Sequence, residues 1–310
     1  MVTQIDISGN ILDQFAKQLN IKIENDHLRL NSTLGIGHAR LWRLPNQLEL
    51  HHFAITLNEP FELQSTNPAK SDWFLLNINL SDAELKKTVN TEEISFQKYL
   101  PSGILLYTPK TEVLSTSPQQ VPFSIVLIRF HKSLLMQYSD QKPDVFKTFR
   151  SAVIYEDLDF QSEQLLIKSI EGKNLLFTHS HVLEFLGLFF EKIKSRRDES
   201  YYEHLHPDDL KGLFSASAFL RNPFAQDLPS VEELSKIAGM GTTKFNTTFK
   251  QVFGTTPRQY NLKIRMEYAK DQLLKKFISP SEISHRLGYS HPSKFTTAFK
   301  KQFGILPSQL

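Results

Sequence analysis

From about Leu28 to Phe130, short apolar runs alternate with clusters of Asn, Pro, Ser and Gly, a pattern typical of β-strands separated by turns. The last run, FSIVLIRF, is apolar at nearly every position and predicts a strand buried on both faces. Many short strands at close spacing favour a β-barrel or a double-sheet jelly roll, which is a cupin-like architecture, over an α/β layout. The predicted strands are 28–30, 38–44, 48–57, 61–64, 73–80, 104–107 and 123–130.

After His131 the apolar residues recur at helical spacing, which predicts helices over 161–170 and 178–197. The second helix carries a wider apolar stripe than a surface helix needs. Two explanations stay open: the helix packs on the core of its own domain, or the stripe forms a homodimer interface. The stripe consists of Val182, Phe185, Leu186, Phe189 and Ile193, widened by Leu183 and Phe190.

A further helix is predicted from Pro207 to about Arg221, followed by the segment NPFAQDLP, whose two prolines and polar residues indicate a linker at 222–229. We therefore expect a regulatory or dimerisation domain over 1–221, β-rich over 28–130 and helical over 131–221. An all-α domain is expected over 230–310. The predicted fold class is α+β with two domains.

The C-terminal domain contains one sequence pattern twice. KFNTTFKQVFGTTPRQ at 244–259 is followed fifty positions later by KFTTAFKKQFGILPSQ at 294–309. Upstream the offset is forty-nine, so the second copy has one extra residue just after its glycine. A repeat of this length indicates one supersecondary unit used twice. The identical pairs are Lys244/Lys294, Phe245/Phe295, Thr247/Thr297, Phe249/Phe299, Lys250/Lys300, Phe253/Phe303, Gly254/Gly304, Pro257/Pro307 and Gln259/Gln309.

Each copy begins with the signature of a capping box, Ser230 with Glu233 and Ser279 with Glu282, in which the two side chains satisfy exposed backbone N–H groups at a helix start. A short helix is expected after each box. Glycine then closes each helix, because it adopts the left-handed conformation most easily. The two helices are predicted over 231–238 and 280–287, ending at Gly239 and Gly288.

After a tight turn, a second helix is predicted in each copy, with phenylalanines on one face and hydroxyls, an amide and lysines on the other. Short polar side chains allow close approach to a major groove, amides and hydroxyls meet base edges, and lysines neutralise phosphates. Each copy is therefore predicted to be a helix-turn-helix unit that binds double-stranded DNA. The predicted contact residues are Thr242, Thr243, Lys244, Asn246, Thr247, Lys250, Ser290, His291, Ser293, Lys294, Thr296, Thr297, Lys300 and Lys301.

The starts of these two recognition helices differ in sequence. Ser290 is predicted to be the N-cap of the second, whereas Gly241 gives the first no capping side chain. We therefore expect the first recognition helix to be the less firmly ordered of the two.

The copies are connected by a helix predicted to begin at a third capping box, formed by Thr256 and Gln259 around Pro257, and to continue to about Lys276. Twenty residues rise about 30 Å at ~1.5 Å each. That length is close to the ~34 Å between successive major-groove faces of B-DNA. One chain could thus read two consecutive turns of a duplex.

The same residues resemble the two-motif DNA-binding domain of the AraC/XylS family of transcriptional regulators. The resemblance rests on EEL, GM, TTKF, FKQVFG, P-x-x-Y and R-M-x-x-A, followed by EI, LGY, KF, FKKQFG and a final proline, and covers about eighty residues. It implies a bihelical DNA-binding domain, promoter binding, activation through contact with RNA polymerase and a preceding β-barrel domain. The chain departs from the family where Gly241 stands for a common serine and where Thr247 and Thr297 stand for common arginines.

Net charge differs between the two parts of the chain, and only the C-terminal domain has the positive charge that suits a polyanionic partner. Residues 224–310 contain ten lysines and three arginines against six carboxylates, a net charge of +7, which leaves −4 for the rest of a chain whose total is +3. The N-terminus lacks the order of a secretory signal, and the most hydrophobic run, VLEFLGLFF, is too short to span a bilayer and carries Glu184 in its middle. We expect a cytoplasmic protein without a membrane partner.

The alternative to this interpretation is an enzyme. A cupin-type metal site needs two histidines one residue apart, whereas His51 and His52 are adjacent and Glu59 is distant, so no metal site and no cofactor are predicted. The alkyl-acceptor enzymes that share this kind of DNA-binding domain need a nucleophilic cysteine, and the chain has none. No catalytic residue is predicted.

The role of the N-terminal domain stays open between two alternatives. It either binds a small-molecule effector in an apolar cavity with a few polar groups, or it only dimerises or binds a protein partner through a packed barrel. Sequence assigns no ligand-binding residue, although Trp42, Phe53, Trp73, Tyr107 and Arg129 are candidates for a cavity lining.

Overall fold

A computed structural model describes residues 2–89, 92–98, 103–137, 153–156, 158, 160–195, 207–220, 228–274, 276 and 278–310. The chain divides into two compact units, 1–191 and 192–310. Most of the predicted linker at 222–229 lies outside the described residues.

The first unit contains two β-sheets. One sheet has the strand order β1-β6-β11-β8-β9 and the other β13-β10-β7-β12-β5-β4-β3-β2. Neighbouring strands are antiparallel except β1 and β6, which are parallel. The strands are β1 Val2–Asp6, β2 Ile23–Glu24, β3 His27–Ser32, β4 Gly35–Leu44, β5 Leu48–Leu57, β6 Phe61–Asn67, β7 Trp73–Asn79, β8 Leu85–Val89, β9 Glu92–Phe96, β10 Ile104–Tyr107, β11 Thr111–Ser117, β12 Phe123–His131 and β13 Val153–Glu156.

All seven predicted strands are present, with ends shifted by up to three residues, and the predicted double-sheet architecture is confirmed. β12 is buried at nearly every position, as its apolar run predicted. The strands absent from the prediction, β1, β2, β8, β9, β11 and β13, are short or rich in polar residues. Their pairing partners lie far along the chain for β1 and β13, so local sequence carries little signal for them.

The core of this unit lies between the inner faces of the two sheets. Leu85, Val89 and Val113 of the smaller sheet share one buried cluster with Leu75 and Leu127 of the larger sheet. Helix α1, Ile11–Leu19, covers one side of this cluster with its buried apolar face. It starts at Asn10, whose side chain accepts a hydrogen bond from the backbone N–H of Asp13.

The outer face of the larger sheet packs against a long helix. Helices α2 and α3 span Lys132–Gln137 and Phe160–Ile170, and α4 spans Leu175–Ser195. Phe190 of α4 meets Phe130 of β12 edge-on, with ring centroids 5.9 Å apart. The five residues of the predicted apolar stripe, Val182 to Ile193, are all at most 8% exposed within the single chain. This burial favours core packing over the homodimer interface for that face.

The second unit is helical over its described residues. Its helices are α5 Pro207–Ala218, α6 Val231–Ile237, α7 Thr242–Phe253, α8 Pro257–Leu274, α9 Pro280–Arg286 and α10 Pro292–Phe303, followed by a 3-10 turn at Pro307–Gln309. The helix pairs α6–α7 and α9–α10 are the two copies of the repeat. Connector α8 is eighteen residues long, two fewer than predicted, and its rise is about 27 Å.

Each copy of the repeat has its own hydrophobic core. Phe245 and Phe249 pack with Leu234 and with Tyr260 from the first half of α8. The second copy packs Phe295 and Phe299, together with other residues, against the second half of α8. The connector therefore contributes one half of its length to each core.

Candidate DNA-binding surface and core cavity

The first helices of the two copies are capped differently. The predicted box at α6 is complete, because the Glu233 backbone N–H donates to Ser230 Oγ at 3.2 Å and the Ser230 N–H donates to Glu233 Oε2 at 2.7 Å. At α9 the Glu282 N–H donates to Ser279 Oγ at 3.2 Å. The Glu282 carboxylate instead pairs with Arg286 at 2.8 Å, one turn further along. The second capping box is thus only half formed.

Both copies then turn in the same way. Gly239 and Gly288 have φ values of 66° and 72°, the left-handed conformation that their sequence positions predicted. The next residue in each copy, Met240 or Tyr289, donates its N–H to a carbonyl five residues back, at 2.9 and 3.0 Å. This shared geometry sets the angle at which each recognition helix leaves its partner.

The N-cap predicted for the second recognition helix is wrong. Helix α10 begins after His291 with Pro292 at its first turn, and neither His291 nor Gly241 makes a side-chain capping bond. The extra residue in the second turn moves Ser290 one position ahead of the N-cap, so its hydroxyl is out of place for that bond. The two recognition helices therefore start without side-chain caps.

The predicted contact residues lie on the open faces of α7 and α10. Thirteen of the fourteen are exposed and Thr296 is half-buried, whereas the phenylalanines on the opposite faces are buried, except Phe303, which is half-buried. The internal packing of the two helices also matches, since the ring centroids of Phe249–Phe253 and Phe299–Phe303 are 4.3 and 4.7 Å apart. Each recognition helix thus presents its polar face away from its own core.

Hydroxyl groups on α10 are already oriented by the helix itself. Thr296 Oγ1 donates to the Pro292 carbonyl at 3.0 Å, and Thr297 Oγ1 donates to the Ser293 carbonyl at 2.9 Å. With its proton used, each oxygen presents lone pairs outward and acts as an acceptor. Such groups suit the amino groups of cytosine or adenine in a major groove.

One predicted contact residue forms an ion pair within the protein. Lys244 Nζ lies 2.7 Å from Oδ1 of Asp209, which belongs to α5. The lysine side chain is 56% exposed and the aspartate side chain 17% exposed. The charge at this position of the first recognition helix is therefore balanced, a feature that no local sequence pattern indicates.

Helix α5 fits closely against the first copy. A Cβ atom placed on Gly212 would lie 2.1 Å from the Ala238 carbonyl oxygen, so only glycine permits this approach. The α5 residues Leu213 and Ala216 belong to the same core as Phe245 and Phe249. Asn261 of α8 donates to the Leu220 carbonyl at 2.7 Å and so fixes the end of this segment to the connector.

The connector is also fixed to the second copy. Arg265 of α8 donates a hydrogen bond to the Leu287 carbonyl at the end of α9, and its guanidinium lies 5.3 Å from the ring centre of Tyr289. A cation at a helix C-terminus is favoured by the helix dipole. The arginine thereby holds the second turn against the connector.

The first unit contains a cavity of about 100 Å³ between its two sheets, lined almost entirely by apolar side chains. Of the five candidate lining residues, Phe53 lies on it and the other four do not. Arg129 instead donates to the Ile7 and Ser8 carbonyls, pairs with Glu49 at 2.9 Å and stacks on Trp73 at 3.5 Å. A buried arginine needs such partners, which is why it is absent from an apolar wall.

Within the described residues, no group of three His, Asp or Glu side chains is arranged to hold a metal ion. His51 is fully buried beside Glu49, and burial lowers its pKa, whereas His52 Nε2 lies 2.9 Å from Ser124 Oγ. No helix in the described part of the chain is long and apolar enough to cross a membrane.

Two matched helix-turn-helix units on one connector define a DNA-binding domain of the helix-turn-helix class. Residues 234–310 match a family model whose description is "Helix-turn-helix domain". Residues 234–310 are therefore similar to AraC-type helix-turn-helix domains, and the resemblance noted in the sequence is confirmed for this region. Domains of this type bind DNA.

Similar proteins include a probable transcriptional regulator, LumQ of Photobacterium leiognathi, 34% identical over 80 residues that make up 26% of this chain and 32% of LumQ. The regulator ExsA of Pseudomonas aeruginosa is 34% identical over 79 residues, 26% of this chain and 28% of ExsA. The matched part of the chain thus spans about a third of the length of these relatives. A solved structure of ToxT from Vibrio cholerae aligns with a TM-score of 0.39 at 11% identity, covering 86% of this chain and 98% of ToxT.

Proposed function

We propose that this protein is a sequence-specific DNA-binding regulator of transcription that reads two adjacent major-groove segments per chain. The observation that carries the proposal is the pair of matched recognition helices, whose polar faces are exposed while one connector holds both cores. A connector rise of about 27 Å brings two reading helices near the ~34 Å repeat of B-DNA. The net charge of +7 over residues 224–310 supports the same partner.

Phosphate contacts are tested with the equivalent lysines Lys250 and Lys300. Alanine at either position should weaken binding to all duplexes and reduce the slope of log K against log salt by about 0.9. Lys17→Ala, an exposed lysine of α1 in the first unit, is the matched control and should leave the slope unchanged. Unchanged affinity and slope in both recognition-helix variants would refute the proposed docking.

Base recognition is tested with Asn246 and His291, the exposed amide and imidazole of the two helices. Their alanine variants should change the preferred sequence in sites selected from random DNA, each at its own half of the site. If both variants select the same sites as the wild type, these residues do not read bases.

We further propose that the first unit binds a small-molecule effector. The apolar cavity between its sheets supports this alternative over a barrel that only dimerises, because a packed core would leave no such space. We also propose that the regulator activates transcription through contact with RNA polymerase, and that it acts in the cytoplasm without catalytic activity. Self-association would use a surface other than the apolar stripe of α4. Helix α5 is included with residues 230–310 in the proposed DNA-binding domain, because its core residues are shared.

The effector proposal is tested on the full chain by small-molecule screening with thermal denaturation, since a ligand that binds only the folded state must raise its stability. The affinity of the full chain for DNA is then measured with and without each stabilising compound. A regulator without an effector should show no stabilisation by any apolar compound. The filled-cavity variant Ser117→Phe should remove stabilisation by a true cavity ligand, because Ser117 lines the cavity.

A further inference from the structure

A lysine points into the apolar cavity of the first unit. Lys87 lies in the middle of β8, where every second residue faces inward, and it is only 3% exposed. The neighbouring Lys86 faces outward and pairs with Glu93 at 3.0 Å. In the paired strands, Lys87 lies between Ser115 of β11 and Ile94 of β9. The alternation of the strand thus places one of two consecutive lysines inside the protein.

The ammonium group of Lys87 has little to balance its charge. Its Nζ donates to Ser115 Oγ at 2.8 Å and lies 4.5 Å from the ring centre of Phe96. Among the residues that the structure describes, no carboxylate forms an ion pair with it. Burial lowers the pKa of Lys87 to about 7, because the charged form is deprived of water.

A second polar group faces the same space from the opposite sheet. Asn77 of β7 lines the cavity and is 8% exposed, and its Oδ1 atom has no hydrogen-bond partner. Its amide nitrogen donates to Tyr107 Oη at 3.4 Å. Tyr107 also bonds with Ser115, and burial raises its pKa, so the phenol stays neutral. Lys87, Ser115, Tyr107 and Asn77 therefore form one polar cluster between the two sheets.

The remaining wall is apolar, and its burial is graded. Leu75 and Leu85 are buried like Lys87, whereas Phe15, Leu19 and Leu34 are half-buried. The volume of about 100 Å³ is smaller than the ~150 Å³ cavity that accepts a benzene molecule. A molecule that fits has at most about as many heavy atoms as benzene, which leaves an apolar body of about two to three carbons beside a polar head group.

We propose that this cavity binds a short-chain aliphatic monocarboxylate, with its carboxylate at Lys87 and its alkyl chain against the leucines and phenylalanines of the two sheets. The carboxylate supplies the negative charge that Lys87 lacks, and such a bond is strong in apolar surroundings. With the side-chain amide turned so that its Oδ1 accepts from the Tyr107 hydroxyl, Asn77 donates through Nδ2 to the second carboxylate oxygen. The inference rests on the proposed function only in taking the bound molecule to be the effector.

The test compares butyrate with butan-1-ol, and propionate with propan-1-ol, by calorimetric titration of the full chain in the absence of DNA. Within each pair the alkyl chain is alike and only the head group differs. The carboxylate should bind the wild type at least tenfold more tightly than the alcohol. This comparison needs no variant, so it stands even if a substitution in the core prevents folding.

Variants then locate the charge. Lys87→Met should remove the preference for carboxylate over alcohol, and Asn77→Leu should reduce it, whereas the outward control Lys86→Met should retain it. Equal binding of acid and alcohol by the wild type, no binding of either, or a preference that survives Lys87→Met would each overturn the proposal.

The outcome for the cavity is separable from the outcome for DNA. Carboxylate binding without any DNA binding would refute the regulatory function and leave the cavity assignment intact. DNA binding without carboxylate binding would refute only the ligand class. If both hold, butyrate should change the affinity of the full chain for its selected site, and Lys87→Met should abolish that change.

Discussion

Lys244 Nζ and Asp209 Oδ1 are 2.7 Å apart, so an acidic side chain of α5 neutralises a lysine on the first recognition helix. Its equivalent in the second copy, Lys294, is exposed and pairs with no described carboxylate. Two positions that are identical in sequence therefore present different charge to a duplex. The second recognition helix should contribute more to binding that depends on charge alone.

Asp209→Asn should free Lys244 and tighten binding to non-specific DNA, because one more cation becomes available to phosphates. The slope of log K against log salt should steepen by up to about 0.9. Fluorescence anisotropy over a salt series measures both quantities. In a Lys244→Ala background the same aspartate substitution should have no such effect, and a gain there would mean that Asp209 acts by another route.

Gly212→Ala should destabilise the second unit and weaken DNA binding, because its Cβ would lie 2.1 Å from the Ala238 carbonyl oxygen. Either helix must shift, which costs on the order of 1–3 kcal/mol. The matched control is Gly187→Ala in α4, where nothing lies within 4 Å of the new atom. Alanine in that helix should stabilise the protein by about 0.5–1 kcal/mol, measured by urea denaturation.

Ser230→Ala should lower the free energy of unfolding by about 1 kcal/mol, because the serine caps α6 and forms half of a complete capping box. Ser290→Ala should change it by less than about 0.5 kcal/mol, since this serine precedes the N-cap of α10. Equilibrium denaturation of both variants measures these two changes in the free energy of unfolding. A larger loss at Ser290 would restore it as the cap.

The stability of the first unit should rise with pH above about 7. Lys87 loses its proton near pH 7 in the folded chain, against a usual value of 10.5, so the unfolded chain binds more protons between these values. The gain approaches ~1.4 kcal/mol per pH unit within that window. Tyr107, the phenol of the same cluster, has a raised pKa and stays neutral there.

Other groups also titrate in that range, so the measurement is the difference between the wild type and Lys87→Met across pH 7 to 10. The wild type should gain stability relative to the variant as pH rises. Parallel curves would show that Lys87 keeps its proton when folded.

The sequence predicts best those features whose causes lie within a few neighbouring residues. The two helix-turn-helix units were predictable because caps, glycines and apolar spacing act within a few residues, as at Ser230 and Gly239. Even there, a single inserted residue and Pro292 changed the N-cap from Ser290 to His291. Small shifts of this kind depend on geometry that residue types alone do not specify.

Lys87 shows the opposite case. In LKKTV the two lysines look alike, and only pairing with β11, more than twenty residues away, decides that Lys87 faces the core. The contact of Lys244 with Asp209 likewise joins residues thirty-five positions apart. Both features arise from tertiary structure and leave no local pattern in the sequence.

The two separate cores along α8 also affect how the protein dissociates from DNA. Because Phe245 and Phe295 are packed in different clusters, one helix-turn-helix unit can leave its groove while the packing of the other stays intact. Release from DNA is then expected to pass through half-attached intermediates that rebind before they escape. The residence time on a full site would therefore exceed the residence time of either half alone.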